Sequence, residues 1–255
     1  MANISNITPE SLYYPDEEDW SPSRRQQVFA WFTHLVTASS AVWGLLAILA
    51  ITNAQWRQAF WWMAVAVIID SFDGTLARRA DVKKVLPRID GALLDNIVDY
   101  LNYVFVPAYF VYAADILPDR LRVVSAALIL LTSAYQFSQT DAKTDDHYFK
   151  GFPSYWNVAV FYMFLLEWNP WINFGFIVLF AVLIFVPIKY IYPSRTDVLP
   201  RFNMLFGALW GLSGLAMLLL YPNYPAWLMW FSMSYVIFYH AEALYVMWRD
   251  RAKSA

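Results

Sequence analysis

Asp70-Ser71-Phe72-Asp73-Gly74-Thr75-Leu76-Ala77-Arg78-Arg79 closes an apolar run that starts at Trp56, and Gly91-Ala92-Leu93-Leu94-Asp95-Asn96-Ile97-Val98-Asp99 opens another that lasts to Ala113. Both runs are long enough to cross a bilayer as helices. A carboxylate inside such a helix is costly and marks function. At 100° per residue, Asp73 lies about 60° from Asp70 around its helix, with Gly74 and Ala77 on the same side. Gly91, Asp95 and Asp99 are four apart and form one stripe of the next helix. The short connection at 79–90 makes the two helices antiparallel neighbours whose acidic stripes face each other. Depth follows from the rise per residue. Asp73 lies about 7.5 Å along the helix from Arg78, and Asp95 about 6 Å from Gly91. The cluster therefore sits near one mouth of the membrane, not at its midplane.

The rest of the chain agrees with a membrane setting. Hydrophobic residues make up 60% of the 255 and charged residues 15%, where a soluble domain carries about 25% charge. With no cysteine, thiolate chemistry and disulfides are excluded. The three histidines, His34, His147 and His240, are far apart in sequence, which argues against a histidine metal site. The net charge of −2 says little about partners, and no nucleic-acid partner is expected. Met1 to Ser21 is polar and acidic and lacks the basic-then-apolar order of a signal peptide.

Eight spans are expected, at 29–51, 56–78, 91–113, 121–139, 155–168, 171–191, 203–220 and 225–248. The chain reads as a single all-α membrane domain over 1–255 behind a polar tail at 1–28. Ser21–Gln27 is either a short helix on the membrane surface or a polar lead-in to the first span. Pro107 and Pro187 fall inside spans and predict kinks or neighbouring irregularity. Asp90 reads as the cap of the helix at Gly91. Arg57, Arg120 and Arg122 fall on one side of the membrane, and the other fifteen of the 18 basic residues fall on the opposite side. By the positive-inside rule both termini face the cytoplasm.

Four close carboxylates cannot all stay ionised without cations among them. Hard divalent ions, Mg²⁺ or Mn²⁺, suit oxygen ligands and also bind diphosphates. One carboxylate is then available as a general base toward an attacking hydroxyl. Gly74 and Ala77 leave room for a flat ligand, and Arg78 offers a fork of donors to phosphate.

The pattern Asp70-x2-Asp73-Gly74-x2-Ala77-Arg78, then Gly91-x3-Asp95-x3-Asp99, resembles the signature of the CDP-alcohol phosphotransferase family. Eight fixed positions fall within 30 residues. The twelve residues between Arg78 and Gly91 exceed the usual gap and are similar to those of the bacterial phosphatidylcholine synthases, a branch of the family. The segment Phe149-Lys150-Gly151-Phe152-Pro153-Ser154-Tyr155-Trp156-Asn157 also resembles that branch. The resemblance implies an inner-membrane enzyme with its site at the cytoplasmic face. Its substrates would be CDP-diacylglycerol and an alcohol, in contact with membrane lipid, and a homodimer is common in the family. It implies that Asp70, Asp73, Asp95 and Asp99 bind Mn²⁺ or Mg²⁺, that Asp99 also deprotonates the alcohol, and that Gly74, Ala77, Arg78 and Gly91 shape the CDP site.

For the alcohol, choline is the first expectation. Its quaternary ammonium calls for an aromatic cage, and the candidates are Tyr103, Tyr155, Trp156 and Asn157. Serine is the alternative within the same chemistry, with Lys143 or Lys150 to meet its carboxylate. A cation transporter with an acidic site is the reading from another class. Transporters place such sites near the midplane between repeated halves, whereas this cluster lies near one face and the second half has no matching acidic pair.

Overall fold

The computed structural model describes residues 20–142, 148–192, 196 and 198–254. The tail before Trp20, Lys143, His147 and Arg195 lie outside the described residues. Helix α1 spans Arg24–Thr52 and α2 spans Trp56–Arg79. A capping box opens α1: the Gln26 amide donates to Ser23 Oγ at 3.3 Å, and the Gln26 side chain accepts from the Ser23 amide at 2.9 Å. Arg24–Gln27 thus form the first turn of α1 itself. A short helix, α3 (Val82–Val85), follows α2 within the 79–90 connection.

Asp90 caps α4 (Gly91–Asp99), accepting from the Ala92 and Leu93 amides at 3.0 Å each. The helix runs on through a π turn at Tyr100–Phe105 into α5 (Val106–Ala113). Irregularity was expected near Pro107, and it lies just before that residue, where the missing N–H and the ring disturb the preceding turn. The π turn is held from α1: Asn102 Nδ2 donates to the Ser40 carbonyl at 3.1 Å and to the Val98 carbonyl at 2.9 Å. Gly44 makes this approach feasible, since a Cβ there would meet Asn102 Oδ1 at 2.7 Å.

A 3₁₀ turn at Asp119–Leu121 leads into α6 (Arg122–Ser138). Next come α7 (Trp156–Leu166), α8 (Pro170–Leu183), α9 (Pro200–Leu220) and α10 (Ala226–Ser254). One expectation needs correction: the helix of the sixth span ends at Leu183 rather than 191, and the all-α fold carries a short two-stranded pairing after it. Strand β1 (Tyr148–Lys150) pairs antiparallel with β2 (Lys189–Ile191). Pro187 gives the reason. Within a helix its ring would collide with the carbonyl four residues earlier, that of Leu183. That carbonyl instead accepts from the Phe152 amide at 3.0 Å, and the chain leaves the helix for strand β2.

Gly151 directly follows β1 with φ +80°, and a Cβ there would collide with the Ile184 carbonyl oxygen. Gly151→Ala is therefore expected to destabilise the fold by about 1–3 kcal/mol, read as a lower midpoint of thermal unfolding in detergent. An unchanged midpoint would refute the tight packing of this segment on the end of α8.

Polar and apolar residues are arranged as a membrane requires. Leu131 (71% exposed), Trp230 (72%) and Phe72 (63%) face outward, while Asn102, Ser133, Gln136, Asn173 and Asn203 are buried. Water would penalise so many outward apolar side chains. Among the described residues, four helices are long and apolar enough to cross a membrane: Arg24–Thr52, Trp56–Arg79, Asp119–Ser138 and Pro200–Leu220. The chain is a helical membrane protein in which α1 packs along α2 and along the α4–α5 helix.

Candidate active site

The packing of α2 against α4 brings the acidic stripes together as expected. Asp70, Asp95 and Asp99 each present one carboxylate oxygen within 4.8 Å of the other two, and all three are half-buried. Asp73 is placed differently. It is 5% exposed, and its carboxylate is engaged by the Thr37 side chain of α1 and the Gly74 backbone amide. The cluster is thus a convergent trio with a fourth carboxylate turned toward α1.

The small residues of the motif make close approaches. A Cβ on Gly91 would meet His34 Cε1 of α1 at 2.9 Å, so glycine lets α4 press against α1. Ala77 packs on a patch of Ala30, Ala80, Val82 and Val85. Arg78 is exposed. Its guanidinium donates to Thr75 Oγ1 at 3.0 Å and lies over Gly74.

Tyr103, displayed by the π turn, donates to Asp70 Oδ2 at 2.6 Å. Its ring meets that of Tyr155 edge-on at 6.2 Å. Tyr100 turns the other way and donates to the Leu130 carbonyl of α6. Beside Asp70 and Tyr103 opens a cavity of about 450 Å³. Its walls include Tyr155, just before α7, and Trp168, just after it. It therefore follows the length of that helix, about 16 Å. Asn157 lines it as well; its Oδ1 is buried without a hydrogen-bond partner. Among the described residues that line the cavity there is no lysine or arginine, and Asp70 is the only carboxylate.

Of the four candidates for a cage, the structure brings Tyr103, Tyr155 and Asn157 to the cavity. Trp156 is a correction. It is fully buried, with its indole N–H on Ser133 Oγ of α6 at 2.7 Å. Successive residues on a helix point about 100° apart, so the neighbour of a cavity residue is turned into the core. Lys150, the described candidate for a serine carboxylate, is engaged elsewhere: its ammonium donates to Asp141 Oδ2 at 2.6 Å. That hydrogen bond holds the Asp141 carboxyl below its usual range.

No family model matches the chain. Among curated proteins, the phosphatidylcholine synthase of Legionella pneumophila is 48% identical over 216 residues, covering 82% of this chain and 84% of that protein. The phosphatidylcholine synthase of Legionella bozemanae is 43% identical over 203 residues, 77% of this chain and 94% of that protein. The corresponding protein of Pseudomonas aeruginosa is 36% identical over 207 residues, 80% and 87% of the two chains. The chain belongs to the phosphatidylcholine synthase family.

The remaining cavity walls in this member of the phosphatidylcholine synthase family were not anticipated. Tyr235 and Tyr239 of α10 and Trp210 of α9 close it. Trp210 stacks on Tyr235 at 5.2 Å, and Gly207 leaves room for the Tyr235 hydroxyl. The four-residue spacing of the two tyrosines was the available signal. Among so many aromatic residues it did not stand out.

Proposed function

We propose that the chain transfers the phosphatidyl group of CDP-diacylglycerol to choline, giving phosphatidylcholine and CMP. The observation that carries this is the juxtaposition of the acidic trio with a cavity walled by aromatic rings and without lysine or arginine among the described residues that line it. A quaternary ammonium makes no hydrogen bonds and is held by π faces. Serine would bring a carboxylate into the same cavity with no lysine or arginine among those residues to meet it. The names of the relatives support the same acceptor.

Asp70, Asp73, Asp95 and Asp99 would hold Mn²⁺ or Mg²⁺. The donor set fits: hard oxygen ligands of Asp70, Asp95 and Asp99 converge within 4.8 Å, and the chain has no cysteine to favour a softer metal. When bound, the metal neutralises the diphosphate and the charge that develops on departing CMP. Gly74, Ala77, Arg78 and Gly91 accommodate the CDP moiety, and Arg78 can swing from Thr75 toward a phosphate. Tyr103, Tyr155 and Asn157 contribute to the choline site. Asp99 takes the proton of the choline hydroxyl. The hydroxyl oxygen forms a bond to the lipid-linked phosphorus, the bond from that phosphorus to CMP breaks, and the electron pair leaves with CMP.

In the membrane we read eight crossings: α1, α2, the continuous α4–α5 helix, α6, α7, α8, α9 and α10. Both termini and the acidic trio lie on the cytoplasmic side of a bacterial inner membrane. Contacts at the helix ends support this alternation. Arg57 at the start of α2 donates to the Leu219 carbonyl at the end of α9, while Lys189 of β2 pairs with Asp250 near the end of α10.

The test supplies purified protein in lipid with CDP-diacylglycerol, Mn²⁺ and labelled choline or labelled serine in separate reactions. Metal-dependent label is expected in phosphatidylcholine. Label in the serine lipid alone would keep the chemistry and overturn the acceptor. No product from either, and no thermal protection by CMP with metal, would overturn the enzyme itself.

A further inference from the structure

Glu242 lies within α10 and is 6% exposed. A carboxylate buried in an apolar helix is costly and needs compensation. Its compensation is incomplete. Oε1 accepts from Asn203 Nδ2 of α9 at 2.9 Å, but Oε2 is buried with no hydrogen-bond partner. Asn203 is itself fixed, its amide also donating to the Val198 carbonyl at 2.8 Å. No basic residue forms an ion pair with Glu242 among the described residues. Lys189 of the neighbouring strand β2 is paired with Asp250 at 2.8 Å, two turns further along α10.

The position of Glu242 ties it to the cavity. Tyr235, Tyr239, Glu242 and Val246 are spaced by four, three and four residues, which puts them on one stripe of the helix. All four are buried, and the first two line the cavity. Glu242 stands about one turn beyond Tyr239 along the axis. It is not among the residues that line the cavity, and it therefore lies beyond the aromatic wall along the helix axis rather than in it.

A permanent cation that cannot be deprotonated needs negative potential as well as ring faces to leave water. Asp70, the one carboxylate lining the cavity, already accepts from Tyr103, and its charge is shared with the metal that the trio is read to hold. In a low-dielectric wall a charge several ångströms away still acts strongly, because little water screens it. We propose that Glu242 is a specificity-determining residue, supplying from one turn beyond Tyr239 the negative potential that selects a quaternary ammonium over a neutral group of the same shape. The inference rests on choline as the acceptor. It gives Glu242 no contact with the reacting atoms.

The test compares choline with its neutral carbon isostere, in which a tert-butyl group replaces the trimethylammonium. Both are assayed as acceptors or competitors with wild type and with Glu242→Gln. The glutamine amide oxygen can still accept from Asn203. The preference for choline over the isostere is expected to fall about tenfold in Glu242→Gln. This loss should appear as a higher KM for choline, with kcat and the KM for CDP-diacylglycerol nearly unchanged. Glu242→Asp keeps the charge and should keep most of the preference. It also provides the test should the glutamine variant fail to fold: an aspartate variant that folds, turns over and no longer discriminates would overturn the proposal. Equal losses for choline and isostere, or no change in either, would also overturn it and reduce Glu242 to a packing role. Wild type that makes no choline product defeats the acceptor reading. Wild type that uses choline, with an unaltered preference in Glu242→Gln, defeats only this inference.

Discussion

Asp99→Asn is expected to lower kcat by about 10²–10⁴ while leaving the protein folded and able to bind CDP-diacylglycerol. Asparagine keeps the shape of aspartate and still offers an oxygen to the acidic trio, but it cannot take the proton of an alcohol. Asp99 is the last residue of α4 and is followed at once by the π turn that displays Tyr103. It converges with Asp70, which lines the aromatic cavity, so a choline bound in that cavity would bring its hydroxyl toward the trio. Two readouts separate chemistry from binding. Transfer of labelled choline measures turnover, and thermal protection by CDP-diacylglycerol with Mn²⁺ measures binding. Lost turnover with retained protection is the expected result. Near-normal turnover would sink the base assignment and pass the role to another carboxylate of the trio.

The trio was legible in the sequence because helical periodicity alone puts Asp70 on one face of α2 and Asp95 with Asp99 on one face of α4. The short 79–90 connection leaves the two helices little choice but to pair. The cap at Asp90 was legible for the same local reason. Other features depended on contacts distant in the chain. Asp73 shares a helical face with Asp70, yet it turns to Thr37, which lies on α1 outside the motif. Strand β2 was hidden because residues 171–191 are predominantly apolar, and hydropathy does not distinguish a helix from a buried strand. Pro187 held the information, but a proline can bend a helix or end it, and the Phe152 amide waiting at the Leu183 carbonyl decides for an end. Trp156 neighbours Tyr155 and Asn157 in sequence, but the step of about 100° between successive helical residues turns its ring into the core.

Removal of metal by a chelator is expected to abolish turnover, and the four aspartates should differ in how readily added metal restores it. Asp95→Ala removes one of three oxygens that converge within 4.8 Å. The remaining pair holds a hard cation poorly, because such ions require several oxygen ligands at once. Half-saturating Mn²⁺ should rise by at least about 100-fold, beyond the 10–100-fold typical when only a supporting hydrogen bond is lost. Asp73→Ala poses a finer question. Its carboxylate is buried and held by Thr37 and the Gly74 amide rather than converging with the other three. If Asp73 joins them as a ligand when metal and CDP-lipid bind, its loss should also raise half-saturating Mn²⁺ markedly. Thr37→Val, which removes only the supporting hydroxyl, should then raise it by about tenfold. A metal titration of Asp73→Ala that matched the parent would remove Asp73 from the ligand set. Its burial against α1 would then be structural, fixing the register of α2 so that Asp70 meets Asp95 and Asp99.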